Sequence, residues 1–439
     1  MNKQIVLPAE LHNQSLADRW HKHSRSRAAH GYAPRIVTLI AGTPDEHDAW
    51  TTANATVSVD TEHYKIKPYG MKITATKAGT ADVWMDPMLP FDPLTFPPAQ
   101  AVCMWFWIDD VAKIGGITGP TIRIYPDSGL SNNWSRGVRD YITLKNGWNF
   151  ARIPAFHSTN AGWGTIYKLR LYFTANESDA SITIGQLYLE CPEKARILMM
   201  HDGGKGGFMD AGRGYSDMKA RGWPLTIDLD PMNNHDPEIT EGEDRHLTWD
   251  ELVAIYNDGN GNAINLHGWN GTLNTEKTLD ELLSDAALGK KYLQAKGIFR
   301  GPEWRGAFLM NYAPLESDPD YLSGTTIAQA FYDGTGGATI WPPLDRWNIR
   351  RYGIHNRTQE ALLGEFERLD AFHHLLIAYT HYISDSRPES NMSPENWAYF
   401  LSLADARVRA GTLEFVTMAD LLETDGLYAD GFNQFRARF

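Results

Sequence analysis

The sequence contains little cysteine, no long apolar run and no excess of positive charge. Cys103 and Cys191 are its only cysteines, too few for a disulfide framework, and neither has the spacing of a metal–thiolate site. A formal net charge of −13 without a lysine- and arginine-rich stripe argues against binding to nucleic acid or to an anionic membrane surface. Since no apolar segment has the length of a membrane span, we expect no insertion into a membrane.

The first residues also lack the apolar core of a signal peptide, so we expect no export by the general secretory route. In contrast to cysteine, aromatic residues are abundant, with 15 Trp and 19 Tyr. Rings at this density fill the cores of β-sandwiches, and on surfaces they stack on flat, weakly polar ligands such as sugars. The length of 439 residues exceeds the usual size of one hydrophobic core, so two or three domains are expected.

Residues 33–192 show the alternation of apolar and polar residues that is typical of half-buried strands. At least six such runs, including 101–109 and 180–190, are separated by turns rich in Gly, Pro, Asn and Asp. This spacing predicts an all-β sandwich of the jelly-roll type, preceded by a polar N-terminal arm over residues 1–32. Four tryptophans of this region are either sugar platforms or, more ordinarily, packed residues: Trp84, Trp134, Trp148 and Trp163.

From residue 193 to residue 439 the pattern changes to short apolar runs that alternate with amphipathic helices. Repeated alternation of strand and helix predicts a mostly parallel sheet, either closed into a barrel or open. We therefore predict a multidomain chain in which an α/β domain follows the sandwich.

Polar side chains directly follow three of these apolar runs. His201 and Asp202 follow 197–200, His267 follows 263–266, and His381 follows 375–380. Because the carboxyl ends of parallel strands meet at one edge of a sheet, we expect these side chains to lie at one site. An aspartate and several histidines at one site can bind a divalent metal or serve as acid and base, although any one of them can also be a packed residue.

The same segments resemble the polysaccharide deacetylases with a NodB-homology domain, carbohydrate esterase family four. The resemblance covers residues 194–422. RILMMHDGG lies where the family has a strand ending in Phe-Asp-Asp-Gly, and LTWDELVAIYNDGNGNAINLHGWNG resembles the helix and strand that lead to its His-x-x-x-His motif. LLIAYTHYISD and EFVTMADLL resemble its closing histidine motif and terminal strand. The resemblance implies a distorted (β/α) barrel, and LKNGWNFARIP with the strands after it resembles carbohydrate-binding jelly rolls.

Carried over residue by residue, the resemblance implies Asp202 and His267 as ligands of a divalent metal, normally zinc. Such a metal polarises an acetyl carbonyl and activates a water molecule. The resemblance also implies His381 as the general acid. Asp345, in the segment compared with the fourth motif of the family, either orients His381 or is a solvated acid of a loop. Contacts with the substrate are predicted at four further residues: Trp269, Tyr312, Asp228 and Asp230.

Two positions depart from the family pattern. His201 stands where the family has an aspartate as its catalytic base, and a neutral imidazole can accept that proton or bind the metal. Gly271 stands at the second histidine of the His-x-x-x-His motif, so the ligand set is incomplete. His201, His235 or a residue of the 228–236 loop would have to complete it.

These observations predict a metal-dependent deacetylase of an acetylated bacterial surface polysaccharide, with the glycan held by the sandwich. One alternative is a glycan-cleaving enzyme on the same fold, with paired carboxylates from Asp228, Asp230 and Glu303. Another is a non-catalytic glycan-binding protein. The order of arm, sandwich and deacetylase-like domain also resembles phage tailspike and tail-fibre depolymerases. That likeness implies a homotrimer in a virion tail, and a cytoplasmic enzyme is the alternative.

Overall fold

The chain forms two compact units, which a computed structural model describes over most of their length. The described residues are 35–40, 50–65, 69–85, 98–117, 119–125, 133–155, 166–210, 212–235, 241–267, 278–298, 303–305, 323–327, 338–339, 349–355, 357–385, 391–418 and 420–421. The first unit is Pro34–Glu193 with Asp370–His374, and the second includes Lys194–Leu369 and Leu375–Phe439. The predicted arm of residues 1–32 lies outside the described residues.

The first unit is built from antiparallel strands. In chain order they are β1 (Arg35–Ile40), β2 (Trp50–Ala53), β3 (Ala55–Asp60), β4 (Gly70–Ala75), β5 (Gly79–Met85), β6 (Ala101–Ile108), β7 (Ile114–Gly115), β8 (Thr121–Tyr125), β9 (Trp134–Gly137), β10 (Gly147–Pro154), β11 (Lys168–Ala175) and β12 (Ser181–Cys191). One sheet has the order β10-β6-β12-β4-β3 with β1 also paired to β12, and the other has the order β2-β5-β11-β8-β9 with β7 also paired to β11.

The alternating sequence of these strands explains how the two sheets pack. On β11 every second residue is buried, including Leu169, Leu171 and Phe173, while the residues between them are at least partly exposed. Side chains on a strand point alternately to its two faces, so each sheet turns one apolar face inward. Trp134 is fully buried in this core. The predicted antiparallel β-sandwich is therefore confirmed.

The second unit is built around parallel strands. They are β13 (Ala195–Asp202), β14 (Thr226–Leu229), β15 (Ala263–Leu266), β16 (Glu303–Arg305), β17 (Ser323–Ile327), β18 (Ala338–Thr339), β19 (Ile349–Gly353), β20 (Leu375–Thr380) and β23 (Leu413–Val416), with β21 (Tyr382–Ile383) and β22 (Asn391–Met392) as a separate pair. The sheet runs β18-β20-β19-β17-β16-β15-β14-β13-β23, and β20 also pairs with β13. Among the described strands of this sheet, only β18 is antiparallel to its neighbour. The predicted parallel sheet is therefore confirmed.

Helices connect these strands, and three of them begin at a residue whose side chain caps the helix. They are α1 (Gly206–Met209), α2 (Gly214–Ala220), α3 (Pro231–His235), α4 (Trp249–Tyr256), α5 (Leu279–Ala295), α6 (Gln359–Phe372) and α7 (Pro394–Ala410). Thr248 and Glu251 form a reciprocal capping box at the start of α4. Ser393 caps the N-terminus of helix α7, and Gly411 caps its C-terminus. Gly411 adopts the left-handed conformation with φ 76°. No described helix is long and apolar enough to cross a membrane.

The run 197–200 on β13 is buried at every residue. A parallel strand covered on both faces shows such a continuous apolar run in place of alternation. Polar side chains that follow the run are therefore delivered to the carboxyl edge of the sheet, where the adjoining strands also end.

We expect the sandwich to depend on its largest buried rings. Replacing Phe173, which is 1% exposed, by alanine should lower the free energy of unfolding by about 3–5 kcal/mol. Ile117 is 96% exposed, so Ile117→Ala should change it by less than about 0.5 kcal/mol. Denaturant titration of both variants measures the difference. Equal losses would contradict the assignment of Phe173 to the core.

Candidate active site

Registered neighbours on three parallel strands place polar side chains side by side. Asp202 on β13 lies opposite Asp228 on β14, and Asp228 lies opposite Asn265 on β15. All three side chains are buried. Because residues two apart on a strand share a face, Asp230 and His267 follow Asp228 and Asn265 at the edge of the sheet. The inner face of the sheet therefore carries polar residues at two successive levels.

The deeper level is organised by the guanidinium of Arg351, which is fully buried on β19. Its Nη1 donates to Oδ1 of Asp202 at 2.8 Å, and its Nη2 donates to Oδ2 at 3.3 Å. Nη1 also lies 3.7 Å from Oδ2 of Asp228, and the guanidinium carbon lies 4.1 Å from the ring centroid of Tyr379. We call these four residues the charge cluster: Asp202, Asp228, Arg351 and Tyr379.

Arg351 keeps its positive charge in spite of its burial. Burial by itself lowers the pKa of Arg351, but Asp202 and Asp228 raise it above its usual value. A buried carboxylate is tolerated when a cation pairs with it and hydrogen bonds it. The planar guanidinium serves one carboxylate with two donors and leaves an electrostatic contact for the second.

The outer level, which we call the rim, consists of Asp230, His267, His355 and His381. His267 Nδ1 lies 2.9 Å from each carboxylate oxygen of Asp230. Since a carboxylate accepts hydrogen bonds, Nδ1 carries the proton and Nε2 is left with its lone pair. His267 is partly exposed and Asp230 is nearly buried. An imidazole oriented in this way suits a general base and also a metal ligand.

The other two rim histidines lie together on the opposite side of the charge cluster. His381 Nε2 is 3.4 Å from Oδ2 of Asp202, and its Nδ1 has no hydrogen-bond partner among the described residues. The ring of His355 lies 5.7 Å from that of His381 and 5.2 Å from that of Tyr379. Burial, followed by the proximity of His381, lowers the pKa of His355 to about 4. His355 is therefore neutral at pH 7.

His201 has a different role from the predicted base or metal ligand. Its Nδ1 lies 3.2 Å from the carbonyl oxygen of Thr380, and its Nε2 accepts the backbone N–H of Lys205 at 2.8 Å. Its ring is fully buried and stacks on Phe208 at 4.8 Å. Both ring nitrogens are thus engaged with the backbone, and burial lowers the pKa of His201 to about 4. His201 therefore links the turn that follows β13 to strand β20, and its ring nitrogens are not available as a base.

The described residues do not fit the zinc site that the family resemblance implies. The two oxygens of Asp202 face Arg351, so of the two predicted ligands only His267 presents an unengaged donor atom. No group of three or more His, Cys, Asp or Glu side chains in the described part of the chain is arranged to hold a metal. The identity of any metal stays a prediction, which metal analysis tests.

Several predicted site residues lie outside the described part of the chain. They are Trp269, Gly271, Tyr312 and Asp345, together with the side chains of His235 and Glu303. Asp228 and Asp230, predicted to contact the substrate, instead bind Arg351 and His267 in the structure. Through these contacts both carboxylates hold a neighbouring side chain in position: Asp228 holds Arg351, and Asp230 holds His267.

Arg351 and His355 were absent from the predicted site residues. Both lie in the segment RRYGIH, in which Arg351, Gly353 and His355 occupy alternate positions. The same alternation occurs in Asp228–Asp230 and in Tyr379–His381 and is the signal that identifies the inner face. Next to the rim, Lys205 Nζ donates to the hydroxyl of Tyr382 at 2.9 Å, and Tyr382 donates to Asp244 at 2.6 Å.

Comparison with known proteins gives weak similarities only. No family model and no curated protein matches the sequence. Among solved structures, the Xyl-CE4 domain of a multidomain xylanase from the hindgut metagenome of Trinervitermes trinervoides has a TM-score of 0.30 and 10% identity, over 53% of this chain and 92% of that chain. A family 11 carbohydrate-binding module from Clostridium thermocellum has a TM-score of 0.25 and 11% identity, over 36% of this chain and 95% of that chain.

Another carbohydrate-binding module, from the β-sandwich superfamily, has a TM-score of 0.26 and 19% identity, and the matched part is 37% of this chain and 64% of that chain. At these values the similarities assign no function. The proposals below are drawn from the geometry of the described residues.

His201, which is buried, and His355, which is partly exposed, are neutral at pH 7 and predict a loss of stability in acid. A fall in the pKa of His201 from 6.5 to about 4 on folding corresponds to about 3 kcal/mol. The unfolded chain binds more protons between these values, so this contribution is complete above pH 6.5 and is lost as the pH falls towards 4. Thermal unfolding across this range should show the decline. His355→Phe should make it shallower, and an unchanged pH dependence would contradict the lowered pKa of His355 in the folded protein.

Proposed function

We propose that the protein hydrolyses an acyl substituent, in the first instance an acetyl group, on a carbohydrate. The observation that supports this proposal is the rim, where a histidine oriented by a carboxylate accompanies a second histidine beside Asp202. Such a pair can take a proton from water and give a proton to a leaving group. In this proposal the parallel sheet is the wall of a distorted (β/α) barrel, for which the pairing of β20 with β13 is support.

His267 acts as the base in the proposed reaction. Its Nε2 accepts a proton from water while the water oxygen forms a bond to the acyl carbon, which produces a tetrahedral oxyanion. Asp230 stabilises the imidazolium that results, since it accepts the Nδ1 hydrogen through both oxygens. The step needs no change of position by either residue.

His381 acts as the acid in the second step. As the bond between the acyl carbon and the sugar oxygen or nitrogen breaks, the leaving atom takes a proton from His381. Asp202 lies 3.4 Å from Nε2 and is a carboxylate partner for the ring when it carries that proton. The ring of His355, which is neutral at pH 7, lies 5.7 Å from that of His381 and adds no positive charge beside it.

Acyl hydrolysis suits the described residues better than cleavage of a glycosidic bond. A glycosidase needs one protonated and one ionised carboxyl group on either side of the scissile bond. Here Asp202 and Asp228 face Arg351, and Asp230 faces His267. The described carboxylates at this edge are therefore committed to supporting contacts, whereas the imidazoles are open.

Acetate release from acetylated polysaccharides tests the proposal. Asp230→Asn should lower kcat about 100-fold or more, because the amide no longer stabilises the His267 imidazolium. His381→Ala should also lower it, and acetylated xylan compared with acetylated chito-oligosaccharides separates ester from amide substrates. Asp250→Asn, at an exposed position in the first turn of α4, is the matched control and should leave the rate unchanged.

Two results would count against the proposal. One is the absence of acetate release by the wild-type protein from every substrate of the panel. The other is an Asp230→Asn variant that folds and retains full activity.

A second proposed function, glycan binding, is favoured by a group of rings on the outer face of the first sandwich sheet. We call Trp105, Trp107, Trp148 and Phe150 the aromatic surface, and each of them is partly exposed. Trp148 lies edge-on to Trp105 and Trp107, with centroid distances of 6.4 and 5.8 Å. Rings exposed in this way stack on the apolar faces of sugars.

The surroundings of the aromatic surface hold its rings in position. Lys65 Nζ lies 4.2 Å from the ring centroids of both Trp105 and Trp148. Gly185 makes room for Trp148, since a Cβ at that position would lie 2.6 Å from the indole ring. The rings are therefore fixed before any ligand arrives, which reduces the entropy lost on binding.

Substitutions on the two sheets test glycan binding by the sandwich. Trp148→Ala should weaken retention on the polysaccharide about tenfold, because a stacked ring contributes about 1–1.5 kcal/mol. Tyr167 is 38% exposed and directly precedes β11 of the other sheet, so Tyr167→Ala is the matched control and should bind as the wild type does. Affinity electrophoresis or calorimetry measures the change, and equal losses in both variants would contradict the assignment.

A further inference from the structure

The buried charges beneath the rim support an inference that does not depend on which bond is hydrolysed. Asp202 and Asp228 occupy registered positions on neighbouring strands, so their carboxylates lie on the same face of the sheet. Asp202 is 5% exposed and Asp228 is 0% exposed. Two buried carboxylates at adjacent positions repel each other, and a positive charge among them offsets this repulsion where water is excluded.

Arg351 supplies that charge from strand β19. It is fully buried, donates twice to Asp202, and approaches Asp228 to 3.7 Å. The ring of Tyr379 covers its guanidinium at 4.1 Å. An arginine cannot lose its proton in a protein, so this charge is permanent, and the packing gives it one position.

A divalent cation at Asp202 would have to compete with this arrangement. Metal–oxygen bonds to carboxylates are about 2.0–2.6 Å long, so the ion would lie among the same oxygens that Arg351 already binds. It would also lie next to a permanent positive charge in a buried setting, where repulsion is screened least. Within the described residues, no third ligand is arranged to offset that cost.

We infer that Arg351 is the resident cation of this site, in the position of the divalent metal that the family resemblance implies. The charge cluster is then complete without a metal, and Arg351 positions Asp202 against His381. Removal of the guanidinium should leave Asp202 and Asp228 as a pair of buried carboxylates that takes up a divalent cation from solution.

Metal content and unfolding, measured without any substrate, test this inference on the full-length protein. Wild-type protein and Asp202→Asn are stripped with chelator, dialysed against Zn²⁺, Mn²⁺ or Ca²⁺ alone, and compared by elemental analysis. We expect equal metal contents, because no ion sits on Asp202. A wild-type content that exceeds that of Asp202→Asn by a stoichiometric ion would overturn the inference, whatever the state of folding of the other variants.

Variants of Arg351 give the second part of the test. Arg351→Met should gain a stoichiometric ion and a higher unfolding midpoint when the cation is added, and Arg351→Met combined with Asp228→Asn should lose this response. Arg351→Lys keeps the charge and should remain insensitive to the cation. A folded Arg351→Met protein with no response to any of the three cations would overturn the inference. Failure to detect acetate release would bear on the proposed hydrolysis alone, since none of these readouts uses a substrate.

Discussion

The contact between Arg351 and Asp202 is the interaction on which the candidate active site depends. Parallel pairing of β13 with β14 brings two aspartates together in the interior, where a neighbouring cation offsets their repulsion. Arg351 reaches both from β19, and Tyr379 on β20 covers it. Four strands thus contribute to one buried group of charges, which fixes their relative register as well as the groups at the rim.

The sandwich and the parallel sheet could be predicted because each is encoded by short-range periodicity. Alternating residues on β11 indicate a strand with one buried face, and the apolar run 197–200 indicates a strand buried on both faces. Asp202, His267 and His381 were predicted to lie at one site because each follows such a run. Local pattern is enough for these assignments, since burial of a strand depends mainly on its own side chains.

The roles of these residues could not be predicted from the same pattern. His201 and Asp202 are adjacent in sequence, but they point to opposite faces of β13. His201 binds backbone groups of Thr380 and Lys205, whereas Asp202 faces Arg351 on the inner face of the sheet. Arg351 is separated from Asp202 by 149 positions, and only the order of the strands in the sheet brings them together. A resemblance to a metal-dependent family adds a role for Asp202 but says nothing of the guanidinium that its oxygens face.

The burial of the charged and histidine side chains explains how protons can move at the proposed site without disturbing the fold. The charge cluster contains a cation that does not titrate, and this cation holds Asp202 in place through two hydrogen bonds. His201 and His355 are neutral at pH 7 because burial lowers the pKa of each to about 4. His267 and His381, to which the proposed mechanism assigns proton transfer, are the more exposed groups at the edge of the sheet. A buried interior held by one arginine, with histidines at its edge, suits the proposed acyl hydrolysis.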